Sequence, residues 1–531
     1  MFWTIFVIIL FDYVKGDLDL TVATTQGGIK GFRDGENTIY LGIPYATVNR
    51  DNPFGIAQPY RKFHLLYEAF EDPPACPQML NGEAIGDLDC LRLNIFAPNK
   101  ASVRNKLPVI VWLYGGAFST GYTKRYKFGA GKLIKRDVIV VTLNYRLGPY
   151  GFMCLDTPQI PGNQGIKDQL IAMKWVKNNI KFFGGDVDKI TLMGESAGAA
   201  SVEAHLLSKQ EKLYNQVILQ SGTMLKPGNI MESNVDAPLK ISEELGFKTD
   251  NITKALEFLT NSDPKTVILA TSKLSINLKV CIEKKFNNVE NILTDRPYNL
   301  EIPKIKDMKV LAGFNSREGL VMNARNPSEY INNTNFFRDA LTNIFEYDKE
   351  FETMVNIVRN FYIGDAELNE KVRNDIIEFQ SDFFYNFPLQ WCLDRFLDNG
   401  AGNIYQYMFS YEGSLNYIKN VLNISLDGAC HGDELGYLFD MNEDETPSVE
   451  DQKVIDRITT LWTNFAKYGN PTPVKTDLLP VTWQPISEDT VPYLNIGSDV
   501  TMWSRPFKRR LTFWKLFLIA NQRRLKGFRH E

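Results

Sequence analysis

The chain has 531 residues, 44% of them hydrophobic and 23% charged, which is the make-up of a globular protein with ample length for a large core. Its 59 basic and 63 acidic residues leave a net charge of −4, so no overall basic surface invites nucleic acid. No internal repeat or low-complexity tract is present, which excludes solenoids and disordered scaffolds.

The chain opens on an apolar run, Phe2 to Phe11, broken only by Thr4. Such a run is too short to cross about 30 Å of hydrocarbon as a helix, but it suits the core of a signal peptide. Residues 1–16 are therefore expected to be a cleaved secretory signal, although no lysine or arginine precedes the run. Further on, "LPVIVWLYGG" (107–116), "DVIVVTLNYR" (137–146), "KITLMGESAG" (189–198), "QVILQSG" (216–222) and "KVLAGFNS" (309–316) read as strands. Their near-continuous apolar character predicts a mostly parallel sheet covered by helices on both faces, an α/β fold. Between the second and third strands, Ile166, Leu170, Met173, Val176 and Ile180 share one helix face, and Gly184–Gly185 stop that helix. A later helix aligns Val454, Ile458, Leu461 and Phe465 and ends at Gly469.

The stretches around 225–308 and 325–400 are more polar and helical, and are expected to roof the sheet as insertions in one domain spanning 17–531. The basic amphipathic segment "KRRLTFWKLFLIANQRRLKGFRH" is expected to be a closing helix packed on the core. Asn251, Asn332 and Asn423 each begin an Asn-X-Ser/Thr triplet, the acceptor for N-glycosylation in a secreted chain. Among six cysteines only Cys76 and Cys90 lie close together, near enough to close a small loop. Cys154, Cys281, Cys392 and Cys430 could pair or stay free, and the buried free thiol is the safer reading. No cluster of cysteine or histidine has metal-ligand spacing, so neither a metal nor an organic cofactor is expected.

Ser196 stands between Gly194 and Gly198 in "GESAG", after a strand and before an alanine-rich helix. A GxSxG alone is weak, but the strand–turn–helix context is what a nucleophile elbow requires. A serine hydroxyl needs a base, and the chain has four histidines. His64 precedes the motif, His205 is carried away on the helix that leaves it, and His530 is in the tail. That leaves His431, in "GACHGDELG". With the order serine, acid, histidine, Glu318 in "FNSREG" lies just past a strand; spacing alone also leaves Asp307 and Asp348 open. Gly115, Gly116 and Ala117, with the N–H of Ala197, offer backbone donors for an oxyanion hole.

Taken together, "YLGIPYA" (40–46), "LDCLRLNIFAP" (88–98), "YGGAF", "LNYRLGPYGF" (143–152), "PGNQGIKDQLIAMKWVKNNIKFFGGD" (161–186), "GESAG", "LQSG", "REG" and "GACHGDEL" resemble the type-B carboxylesterase/cholinesterase family of α/β-hydrolases. The resemblance runs over nearly the whole mature length. It implies a Ser196–Glu318–His431 triad, an oxyanion hole at Gly115, Gly116, Ala117 and Ala197, and a Cys76–Cys90 disulfide. It also implies that Glu195, Ser221 and Glu434 are buried polar supports of the histidine. Ala117 stands where family members often carry glycine. The loop "PQMLNGEAIGDLD" has no aromatic residue to stack on choline, and Glu195 stands where juvenile-hormone esterases typically have glutamine. The overall likeness is to insect secreted or antennal carboxylesterases, which implies small uncharged esters (odorant, dietary or xenobiotic) as substrates. The alternative is a non-catalytic member used for adhesion or ligand sequestration. Neither a nucleic-acid partner nor a transmembrane segment is expected.

Overall fold

The computed structural model describes residues 20–441 and 446–529; the expected signal segment 1–16 and His530 lie outside them. Eleven strands form one sheet: β1 (Phe32–Asp34), β2 (Asn37–Pro44), β3 (Arg92–Pro98), β4 (Leu107–Leu113), β5 (Ile139–Leu143), β6 (Gly185–Glu195), β7 (Gln216–Gln220), β8 (Lys309–Asn315), β9 (Ile404–Phe409), β10 (Pro492–Ile496) and β11 (Val500–Ser504). Their spatial order is β11-β10-β9-β8-β7-β6-β4-β5-β3-β2-β1. From β5 to β10 the strands run parallel, and the outer strands at both edges are antiparallel. Every residue of β4, β5 and β7 is buried. Covering a parallel sheet on both faces requires this unbroken apolar pattern.

The register decides where the site lies. Glu195 of β6 pairs with Gln220 of β7, and Gln220 pairs with Gly313 of β8. Three neighbouring strands therefore end almost level, and the residues just after them form a row along the carboxyl edge, where open α/β sheets bind ligands.

Helix α1 (Gln164–Asn179) continues as one 3₁₀ turn, Ile180–Phe183, and closes on Gly184 at φ 82°. The predicted stop stands there because a side chain disfavours that left-handed conformation. All of α2 (Ala197–Leu207) is buried; its alanines let it lie close on β6 and β7. Helices Ala237–Glu244, Ile252–Thr260 and Pro264–Lys273 occupy the first predicted insertion and add Ile241, Leu259 and Val267 to the main core.

The second insertion behaves differently. With α3 (Arg373–Ser381) and α4 (Phe387–Asp398) it builds a separate apolar cluster, which includes Phe337, Phe379 and Phe383. After α5 (Val449–Tyr468), the carboxyl-terminal helix α6 (Lys508–Asn521) completes that cluster with Leu511, Trp514 and Phe517. Its basic face is tied down by Arg510, which pairs with Glu378 at 2.6 Å and Asp382 at 2.9 Å. Among the described residues no helix is long and apolar enough to cross a membrane.

Two disulfides are present. Cys76–Cys90 is the expected one. Cys154–Cys281 corrects the reading of those two residues as free thiols. Gly162, at φ 103°, makes the approach possible, since a Cβ there would stand 2.3 Å from Cys281 Sγ. Asn163 Nδ2 donates to the Cys281 carbonyl at 2.9 Å and holds the short strand Val280–Cys281 in place. Cys392 and Cys430 are free and buried, as expected.

Candidate active site

The turn from β6 into α2 carries Ser196 at φ 54°, ψ −120°. A non-glycine residue there stores roughly 1–3 kcal/mol of strain, and its neighbours hold it. Its N–H donates to the Gln220 carbonyl at 2.8 Å, and its carbonyl accepts from Ala200 N–H at 2.9 Å. A Cβ on Gly194 would meet the Gly198 carbonyl carbon at 2.3 Å, and one on Gly198 would meet the Leu113 oxygen at 2.0 Å. Both glycines are therefore needed for strand and helix to close around the serine.

Glu318 is completely buried, one turn beyond β8. Its Oε1 accepts from Ser221 Oγ at 2.6 Å and from Asn315 N–H at 2.6 Å, while its Oε2 lies 2.6 Å from His431 Nδ1. The carboxylate oriented in this way fixes the ring and places the proton on Nδ1. The other nitrogen, Nε2, faces the elbow, 3.1 Å from Glu195 Oε1. The remaining acids are elsewhere: Asp307 precedes β8 at the opposite end of the strand, and Asp348 pairs with Arg524 at 3.0 Å. Of the other described histidines, His64 is exposed and His205 is buried against Gln169 Oε1 at 3.0 Å.

The loop bearing His431 is held by the same strand ends. Asn315 Nδ2 donates to the Cys430 carbonyl at 2.6 Å, Arg317 N–H to the Ala429 carbonyl at 2.9 Å, and Asp433 Oδ2 accepts Cys430 N–H at 2.6 Å. The three supporting residues have distinct positions. Ser221, itself at φ 52°, holds the acid. Glu195 holds the outer imidazole nitrogen. Glu434 accepts from Gln220 Nε2 at 2.9 Å and Asn315 Nδ2 at 2.6 Å, so it supports the loop and strand ends and does not pair with the imidazole.

Electrostatics follow from this crowding. Burial disfavours a charged imidazole at His431, but the carboxylates of Glu195 and Glu318 outweigh it, and the net shift is above the ordinary histidine value. Burial raises Glu195 as well. Glu434 is pushed up to about 8 by burial and then by Glu195 and Glu318, so it is mainly a neutral hydrogen-bonding group at neutral pH.

The loop after β4 lies against the elbow. A Cβ on Gly115 would stand 2.9 Å from Ser196 Cβ, and one on Gly116 (φ 113°) would strike the Thr120 carbonyl at 2.0 Å. Ala117 has φ 54°, a left-handed conformation that costs an alanine roughly 1–2 kcal/mol; the departure from glycine is accommodated with strain. Ala197 opens α2, so its N–H has no intrahelical acceptor.

Sequence reasoning did not single out Gln220, Asn315, Asp433, Tyr385 or Lys226. Asn315 and Asp433 had a local signal, since each lies within three residues of a residue already chosen. Tyr385 had none: its ring lies 4.5 Å from that of His431 but is supplied by the second insertion. The exposed Asn251, Asn332 and Asn423 leave all three triplets sterically open.

The carboxylesterase family model matches residues 18–514. The bile salt-activated lipase of Rattus norvegicus is 30% identical over 509 residues, covering 91% of this chain and 81% of the relative. Esterase FE4 of Myzus persicae is 28% identical, covering 85% and 83%. Among solved structures, juvenile hormone esterase from Manduca sexta, with OTFP covalently attached, superposes with a TM-score of 0.83 at 25% identity, covering 94% of this chain and 99% of that one.

Proposed function

The chain belongs to the carboxylesterase family and is a carboxylic ester hydrolase of the α/β-hydrolase fold, and on that footing we propose a residue-level mechanism. Ser196 attacks the ester carbonyl, and His431 takes its proton through Nε2 after leaving Glu195, one residue away on the same turn. The tetrahedral oxyanion accepts hydrogen bonds from Ala197 N–H and from the N–H groups of Gly115, Gly116 and Ala117. His431 then returns the proton to the departing alcohol, and water repeats the sequence on the acyl-enzyme. Glu318 stabilises the imidazolium that forms in each half-reaction.

The observation that carries this reading is the 2.6 Å contact between Glu318 Oε2 and His431 Nδ1, with Nε2 turned to the elbow. A structural histidine would not need a fully buried carboxylate on one nitrogen and a strained serine turn facing the other. The substrates are small carboxylic esters, and the loop 77–89 offers no ring for a quaternary ammonium. The apolar run at the start of the chain, two disulfides and three exposed glycosylation triplets support secretion.

The test is labelling. A fluorophosphonate should modify the parent protein on Ser196 only, and short-chain nitrophenyl esters should turn over. Ser196→Ala should lose both, with kcat down by about 10⁴- to 10⁶-fold. A folded parent protein that neither labels nor hydrolyses would favour the sequestering alternative and refute this mechanism.

A further inference from the structure

The loop after β7 brings one more charged side chain to the site, and the mechanism above has no use for it. Lys226 Nζ lies 4.0 Å from the centroid of Tyr385, the same ring that lies 4.5 Å from His431. The lysine is thus one aromatic ring away from the imidazole. Tyr385 reaches this position because a single π-helical turn, Asp382–Asn386, joins α3 to α4. Such a turn inserts an extra residue and rotates the side chains that follow, and it recurs at functional sites.

Among the described residues no carboxylate lies within ion-pairing distance of this ammonium. The nearby acids are already engaged: Glu318 by Ser221, Asn315 and His431, and Glu195 by His431. A second cation stands on the same loop, where Lys279 donates through Nζ to the Gly228 carbonyl at 3.0 Å. Burial and then Lys279 pull Lys226 down to about 8, against the smaller opposing effect of the Glu318 and Glu195 carboxylates, which still leaves it mostly charged at neutral pH. A half-buried cation that rests on an aromatic face, with carboxylates near enough to act on it but none in contact, keeps its donors available to an incoming anion. An anion arriving with the substrate would supply a direct partner, and a neutral substrate would not.

Resting on the esterase reading, we infer that Lys226 is a specificity residue that receives the carboxylate of an anionic ester. Half-esters of short dicarboxylic acids are the simplest members of the class, in place of the uncharged esters that the family likeness implies. Tyr385 orients the ammonium and separates it from the imidazole.

The experiment compares matched pairs on the purified full chain. Monoethyl glutarate against its neutral methyl ethyl diester places the charge on the acyl side. Butyryloxyacetate against its methyl ester places it on the alcohol side. In the parent enzyme one of the two anions should be preferred over its neutral partner, and Lys226→Met should lower that ratio of kcat/KM about tenfold or more, mainly through KM. Lys226→Arg should keep the ratio within about threefold, and Lys226→Glu should lower it beyond the methionine variant. Free glutarate should also inhibit the parent competitively and more tightly than glutaramide, a measurement that needs no variant. Unchanged ratios in Lys226→Met and Lys226→Glu, or equal inhibition by glutarate and glutaramide, would overturn the assignment. Turnover of the neutral esters, abolished in Ser196→Ala, would meanwhile leave the esterase reading intact, so the two failures are distinguishable.

Discussion

On one side of His431, Ser196, Ser221 and Glu318 stand just past the ends of β6, β7 and β8, in a row fixed by strand register. On the other side, Tyr385 comes from a π-helical turn in an insertion that builds its own apolar cluster with the carboxyl-terminal helix. The first group is held by backbone hydrogen bonds and by glycines that admit no side chain. The second depends on how aromatic side chains pack. The sheet edge should therefore govern the rate of chemistry, and the roof should govern stability and substrate fit.

The largest expected effect is on the sheet side. Glu318→Gln should lower kcat/KM about 10⁴-fold, because an amide in that place stabilises the wrong tautomer and cannot balance the imidazolium. The thermal midpoint should move little, since the amide is nearly isosteric. Activity within tenfold of the parent on a short nitrophenyl ester would show that the acid lies elsewhere.

On the roof, the reverse pattern is expected. Trp514 is buried against Phe383 and Phe387 and donates to Tyr362 Oη at 2.7 Å. Trp514→Ala should cost about 3–5 kcal/mol of unfolding free energy. Because Phe383 sits in the π-helical turn that carries Tyr385, KM should rise more than kcat falls. Denaturant titration combined with initial-rate kinetics checks both halves; a kcat loss rivalling that of Glu318→Gln would erase the distinction between the two regions.

The disulfides give a smaller contrast. Cys154–Cys281 spans 127 residues and Cys76–Cys90 spans 14. Replacing the first pair by serine should cost about 2–5 kcal/mol, and more than replacing the second by roughly 1–2 kcal/mol, because the longer loop constrains the unfolded chain more. Equal losses in equilibrium unfolding would mean that local packing, not loop closure, sets their contribution.

These differences also explain what could be read before any coordinates. Ser196 was legible because the elbow's motif is local: Gly194 answers to Gly198 within the same strand, turn and helix, and only Gly198 answers to another strand, at Leu113 of β4. His431 followed by elimination among few histidines. Spacing alone left Asp307 and Asp348 open beside Glu318, which the family resemblance implied; Asp307 lies at the other end of β8 and Asp348 pairs with Arg524. Tyr385 and Lys226 had no local signal, since they meet only where a π-helical turn of the second insertion packs on the loop after β7. The same holds for Cys154 and Cys281, whose approach depends on how Gly162 and Asn163 seat a distant strand.

The smallest effect concerns Glu195, which belongs to the sheet edge by position but acts through charge. His431 must be neutral to accept the serine proton, so activity is lost as pH falls through its pKa. That pKa lies above the ordinary histidine value of about 6.5 because the Glu195 and Glu318 carboxylates favour the imidazolium more than burial opposes it. Glu195→Gln removes one of those charges while keeping an oxygen within reach of Nε2. The acid limb of the kcat/KM profile should therefore move to lower pH, with any change on the plateau a separate matter. Glu434→Gln, which alters a group already largely neutral and hydrogen-bonded to Gln220 and Asn315, should shift that limb far less. If both variants moved it equally, or Glu195→Gln moved it upward, the carboxylate beside Nε2 would not be what holds the imidazole's pKa high.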